Sequence, residues 1–178
     1  MNTKTVFANS LPKLARLTIE EYISNNNSVV LSDECLTEYK NQRAGIFVTI
    51  YKNNQLRGCI GTISPTQENI ISEILINSIS ACSRDPRFEK VKISELEQLT
   101  YSVNVLMPPE QIDSTDKLDP QNYGVIVVGS NNRRGLLLPR LESINTIQEQ
   151  MYHVMVKANI KHDETIELYR FESIEHKE

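Results

Sequence analysis

What the chain lacks narrows its function first. Its only cysteines are Cys35, Cys59 and Cys82, far apart and without a CxxC pair. That excludes a disulfide framework and a cysteine-based structural zinc site, and it predicts free thiols in a reducing, cytoplasmic setting. No apolar run approaches the roughly 18 residues a membrane span needs. The stretch Met1 to Phe7 has no long apolar core of the kind a signal peptide carries. Basic residues are scattered and the formal net charge is -4, so no stripe for nucleic acid is expected. Neither Rossmann nor P-loop spacing occurs and no metal-ligand set is visible, so no cofactor is expected.

What is present fits a folded globular chain. Of its 178 residues, 39% are hydrophobic and 24% charged, which argues against extended disorder. Ser10 with Pro12 opens a helix that Asn25-Asn26-Asn27 should stop. Val29 to Leu31 suits a short strand. Gly45 to Tyr51 reads as a strand, Asn53-Asn54 as its turn and Gln55 to Ile60 as its return. A helix opening at Pro65-Thr66 should end near Ser83, because Pro86 disfavours helix at Asp85. Its buried stripe would be Ile71, Ile74, Leu75, Ile79 and Cys82. Ser94 to Gln98 suits one helical turn. Alternation from Tyr101 to Val105 predicts a half-buried strand, and a polar connection through Asp113, Asp116 and Asp119 follows.

The pattern then recurs. Gly124 to Val128 is a strand, Asn131-Asn132 a turn, and Arg134 to Pro139 a return strand. A helix carrying Ile147, Met151, Val154, Met155 and Ala158 follows, and Leu168 to Ile174 closes as a strand. Gly45…Asn53-Asn54…Arg57-Gly58-Cys59 echoes Gly124…Asn131-Asn132…Arg134-Gly135-Leu136. The expected fold is therefore α+β: duplicated hairpin-helix-strand units, mainly antiparallel sheet, helices packed on the sheet. It would form one domain over 1–178, or two interleaved lobes with repeats at about 45–106 and 124–174. Within that duplication Cys59 takes the place Leu136 fills in the second copy.

Leu56-Arg57-Gly58-Cys59-Ile60-Gly61 is the densest chemistry. Residues two apart on a strand share a face. Arg57 would thus stand beside the Cys59 thiol and favour its thiolate, with Gly58 and Gly61 leaving room for a ligand. The following helix would add its positive amino-terminal end if the chain folds back. The loop Arg84-Asp85-Pro86-Arg87-Phe88 either brings Asp85 and Arg87 to that thiol as substrate-binding groups or is a helix stop with Asp85 capping amides. Cys82 and Cys35 read as packing residues. No local signature ties His153, His162 or His176 to Cys59.

LRGCIG at 56–61 resembles the hallmark of the AMMECR domain family. The likeness continues through Asp85-Pro86-Arg87-Phe88, Ser102 to Leu106, Gly135 to Pro139, Lys157-Ala158-Asn159-Ile160 and Tyr169-Arg170-Phe171. The resemblance implies two structural repeats with antiparallel pairing and a suspected enzymatic role centred on Cys59. It also implies the protein A type of the AmmeMemoRadiSam system, whose other members are a Memo-type protein and a radical SAM enzyme. Family members commonly carry Gly where Asn159 stands, and tryptophans toward the carboxy terminus, of which this chain has none. Two readings stay open. In one, a thiol-dependent enzyme or modification factor acts on a small molecule or partner protein, with Cys59 and Arg57 catalytic and Gly58, Gly61, Asp85 and Arg87 binding substrate. In the other, a non-catalytic ligand- or protein-binding module has a structural cysteine.

Overall fold

Paired asparagines make the two turns that organise the chain. Asn53, Asn54, Asn131 and Asn132 all have left-handed backbone, with φ of 50, 61, 56 and 59°. Asparagine tolerates that region because its short polar side chain bonds locally. The first pair forms the two-residue loop of a tight hairpin, the second lies within a longer loop closed by Gly129 N–H donating to Arg133 O at 2.9 Å.

The computed structural model describes residues 3–178. In chain order the elements are β1 (Thr3–Val6), α1 (Leu11–Asn25), β2 (Ser28–Leu31), β3 (Gly45–Lys52), β4 (Gln55–Gly61), α2 (Ile70–Ser83), β5 (Leu99–Leu106), β6 (Glu110–Ile112), β7 (Gly124–Val128), β8 (Arg134–Leu137), α3 (Ile147–Lys157), β9 (Glu167–Phe171) and β10 (Ser173–Lys177). A short 3₁₀ segment occupies Ile93–Gln98. The strands form a parallel β1–β2 pair and two four-stranded sheets ordered β10-β5-β3-β4 and β6-β9-β7-β8. The pairs β3–β4, β6–β9, β7–β8 and β7–β9 are antiparallel. The α+β class and the duplication are therefore realised: β5-β3-β4 with α2 in one copy, β9-β7-β8 with α3 in the other.

The described chain divides into two compact units, one running through Val105 and regaining Glu175–Glu178, the other Leu106–Ile174. In the first, Ile46, Val48 and Ile50 of β3 and Tyr101 and Val103 of β5 pack with Leu14, Ile70 and Ile74 of the helices. In the second, Val125 and Val127 of β7 pack with Val154 of α3 and Leu168 of β9. Burying these branched side chains is the main stabilising force in each unit. A buried polar side chain occupies the fourth position of each repeat's helix, Glu73 in α2 and Gln150 in α3, both 1% exposed. In both copies a buried amide donates to a carbonyl at the start of the first hairpin strand: Asn77 Nδ2 to Ile46 O, within β3, at 3.0 Å, and Gln150 Nε2 to Tyr123 O, just before β7, at 2.8 Å.

Helix ends follow their local chemistry. Ser10 Oγ caps α1, and Asn26 closes it at φ 53°. Thr146 and Glu149 make a reciprocal capping box on α3. Asn159 has φ 53°, and Ile160 N–H reaches back to Met155 O at 2.9 Å. That left-handed terminus is a position for Gly, and Asn is its usual substitute.

Several expectations need correction. The second helix begins at Ile70, capped by Asn69, not at Pro65. Glu73 explains this: its carboxylate accepts from the Thr66 and Gln67 amides and from the Thr62 and Thr66 hydroxyls, holding 62–67 as a loop. Burial opposes the Glu73 charge, yet these donors hold its pKa below the ordinary value. Leu75 and Ile79 are only partly buried, and Asn77 and Ser78 join the inner face instead. The closing strand is two strands in different sheets, parted at Glu172. The polar connection contains β6. Finally β5 is buried on both faces: Ser102 and Asn104, expected to face water, are 1% and 6% exposed. The opening glycines of the two hairpins are also not equivalent. Gly58 pairs with Ile50 and Gly135 with Val127, so counting back puts Gly124 at the place of Phe47.

Candidate functional site around Cys59

Cys59 lies on β4, the edge strand of its sheet, directly opposite Thr49 of β3. Helix-facing residues alternate with those on the other face, and Gly58 faces the helix. A Cβ there would come within 2.4 Å of the Ala81 carbonyl in the last turn of α2. Cys59 and Thr49 accordingly share the face turned away from the helices, where Cys59 is half-buried and Thr49 only 5% exposed. Thr49 Oγ1 and Cys59 Sγ are 3.3 Å apart, within hydrogen-bonding reach for sulfur.

An edge strand leaves backbone groups without a neighbouring strand. Two side chains from the loop after α2 serve that role at Cys59. Its N–H donates to Asp85 Oδ2 at 2.8 Å, and its carbonyl accepts from Arg87 Nη2 at 3.2 Å. Asp85 and Arg87 are joined two-fold, Nε to Oδ1 at 3.0 Å and Nη2 to Oδ2 at 2.7 Å, and the Arg87 N–H adds a further bond to Oδ1. The Asp85 side chain is 2% exposed. Its bonds from Arg87 hold the carboxyl down at about 2. A carboxylate with both oxygens so committed is a positioning group rather than a general base near neutral pH. Arg87 is raised by Asp85 and, more weakly, by the negative charge Cys59 would carry as thiolate.

The sequence-based site is thus only partly assembled. Asp85 and Arg87 are brought to Cys59. Arg57 is spent elsewhere: it makes a two-fold ion pair with Glu95, both bonds at 3.0 Å, and donates to the carbonyls of Glu89 and Lys90 at 2.8 and 3.3 Å. Glu95 also takes Lys52, and its pKa falls to about 2, chiefly through Arg57. Arg57 thereby ties the 89–95 segment to the hairpin. Gly61 does not leave open space, since a Cβ there would lie 2.3 Å from the Phe47 ring. Both motif glycines serve close packing. Nor does the amino terminus of α2 approach Cys59's strand neighbour Gly58, because the helix presents its carboxy-terminal turn there. Cys82 is buried, which pushes its thiol up to about 12, and Sγ donates to Ile79 O. Cys35 is buried beside Ser32 Oγ. His153 and His162 are exposed.

Thr49, Ser102, Asn104 and Glu95 were not singled out from the sequence. Ser102 and Asn104 alternate with apolar neighbours as solvent-facing residues do, and Thr49 sits unremarked in an apolar strand. Only the pairing of strands groups the first three with Cys59 on one sheet face. A charge-pattern search could have raised Glu95, but its partner lies 38 positions away. No group of three or more His, Cys, Asp or Glu capable of holding a metal occurs among the described residues. No described helix is long and apolar enough to cross a membrane.

Fold and site together define a duplicated α+β protein with a polar thiol site in its first repeat only. The AMMECR1 family model matches residues 12–176. A Thermotoga maritima protein is 42% identical over 161 residues, which cover 89% of this chain and 92% of the relative. A Clostridium acetobutylicum protein is 40% identical over 167 residues, but the chain spans only 35% of that longer relative. The crystal structure of an uncharacterised Pyrococcus horikoshii protein superposes with a TM-score of 0.83 at 28% identity, covering 93% of this chain and 88% of that one. The chain belongs to the AMMECR1 family.

Proposed function

We propose that this protein is a thiol-dependent enzyme or modification factor acting on a small molecule or a partner protein, with Cys59 as its nucleophile. The observation that carries the reading is the Thr49–Cys59 pair. It occupies the register position that Ile126 and Leu136 fill in the second repeat. Packing alone is met there by two aliphatic side chains, so a hydroxyl bonded to a thiol calls for another reason. Asp85 and Arg87 fix the Cys59 backbone, and the Arg87 cation favours the thiolate. Arg57, Gly58 and Gly61 hold the frame. On resemblance alone, a Memo-type protein and a radical SAM enzyme are the proposed partners, in the cytoplasm.

A binding module with a structural cysteine is favoured instead by the close packing at both glycines and the commitment of Arg57 to Glu95. Iodoacetamide labelling with mass-spectrometric mapping across pH separates the two. The enzyme reading expects selective alkylation of Cys59 below about pH 8 while buried Cys35 and Cys82 stay protected. Protection of Cys59 until the protein unfolds would leave the module. In a pathway assay Cys59→Ser should then abolish function.

A further inference from the structure

We propose that the Cys59 site takes an oxyanionic ligand, a carboxylate or phosphate group seated on the open side of the Arg87 guanidinium beside the thiol. This rests on the reading of Cys59 as a nucleophile and adds the class of substrate. Arg87 uses Nε and Nη2 on Asp85 and Nη2 again on the Cys59 carbonyl. Its Nη1 makes no hydrogen bond among the described residues, which leaves two N–H donors. Side chains of Arg87 and Asp85 are 54% and 2% exposed, so the anion of the pair is enclosed while the cation faces outward. A planar guanidinium already locked in place loses little freedom when it accepts a carboxylate or phosphate. Thr49, bonded to the sulfur, completes a thiol, hydroxyl and guanidinium set that the second repeat does not have.

Two alkylating probes that differ in charge test the site. In each, the sulfur forms a bond to the CH₂ carbon, the carbon–iodine bond breaks, iodide leaves and the thiol proton goes to solvent. Iodoacetate carries the carboxylate and iodoacetamide does not. The chain's net charge of -4 disfavours the anionic probe globally, so a preference for it must be local. Relative to free cysteine, the iodoacetate-to-iodoacetamide rate ratio at Cys59 should be raised about threefold to tenfold, as one nearby cation provides in a partly screened setting. Arg87→Gln should return the ratio to that of free cysteine. Added salt should lower it in the unaltered protein, a measurement that needs no variant to fold. An unraised ratio, or one that survives both Arg87→Gln and salt, overturns the anion site while iodoacetamide labelling of Cys59 keeps the nucleophile reading. Failure of both probes to label Cys59 removes both. Phosphate slowing iodoacetate more than chloride does at equal ionic strength identifies a phosphate ligand, and acetate doing so identifies a carboxylate.

Discussion

The two hairpins share a plan and differ in what they do with one pair of positions. In each, an Arg-Gly pair enters the return strand, and the glycine abuts a carbonyl of the following helix: Ala81 O for Gly58 and Val154 O for Gly135, both 2.4 Å from a would-be Cβ. One step along, the first copy pairs Thr49 with Cys59 and the second pairs Ile126 with Leu136. The edge carbonyl of that residue finds a cation in both, Arg87 for Cys59 and Lys157 for Leu136. Arg87 is anchored by Asp85 and keeps unused donors, whereas Lys157 reaches from the end of its helix. Architecture is held in common, and the polar chemistry belongs to one copy.

The shared part of the comparison breaks hardest. Gly58→Ala and Gly135→Ala should each cost about 3 kcal/mol, because backbone rather than a flexible side chain blocks the new methyl. Residue-resolved hydrogen exchange should show loss of protection confined to the first unit for Gly58 and to the second for Gly135. Similar losses sharpen the common plan; a silent Gly135→Ala would break it.

The edge clamps should differ next. Asp85→Asn removes the charge that holds Arg87 and weakens the acceptor for the Cys59 amide, costing about 2 kcal/mol in denaturant unfolding. Lys157→Ala should cost less than about 1 kcal/mol. The pH dependence has a definite sign. Asp85 titrates at about 2 when folded and near 4 when unfolded. Its contribution is therefore complete above about pH 4 and lost as pH falls toward about 2. The stability difference between the parent and Asp85→Asn should shrink across that window and be flat at neutral pH.

A small stability effect, against the glycine and Asp85 changes, belongs to the pair itself. Thr49→Ile combined with Cys59→Leu turns the first hairpin's pair into the second's. Unfolding free energy should change by less than about 1.5 kcal/mol, since Cys59 is half-buried and has room to adjust. A much larger loss would mean that the polar pair is itself structural, and the two hairpins would then not differ in chemistry alone.

Much of the architecture was legible because its causes are local. Ser10, the asparagine turns and the short apolar runs of β3 and β7 act within a few residues, and those elements appear where expected. The misreadings have longer causes. Pro65-Thr66 looked like a helix start because Glu73's demand for the Thr66 and Gln67 amides is not visible in the chain. Leu168 to Ile174 looked like one strand because nothing local tells that its two halves pair in different sheets. At the site, Cys59 and the Asp85–Arg87 loop stand out in the sequence, but strand alternation assigns Arg57 to the thiol, whereas Glu95, distant in the chain, claims it.

By itself the sequence determined the duplicated plan, the family and the residue that differs between the copies, because periodicity, turn residues and a missing second cysteine are properties of the chain. Tertiary structure alone decided which cation accompanies that cysteine, what the glycines are for and which hydroxyl touches the sulfur. These depend on where an edge strand, a helix end and a distant loop meet, and no local spacing encodes that meeting.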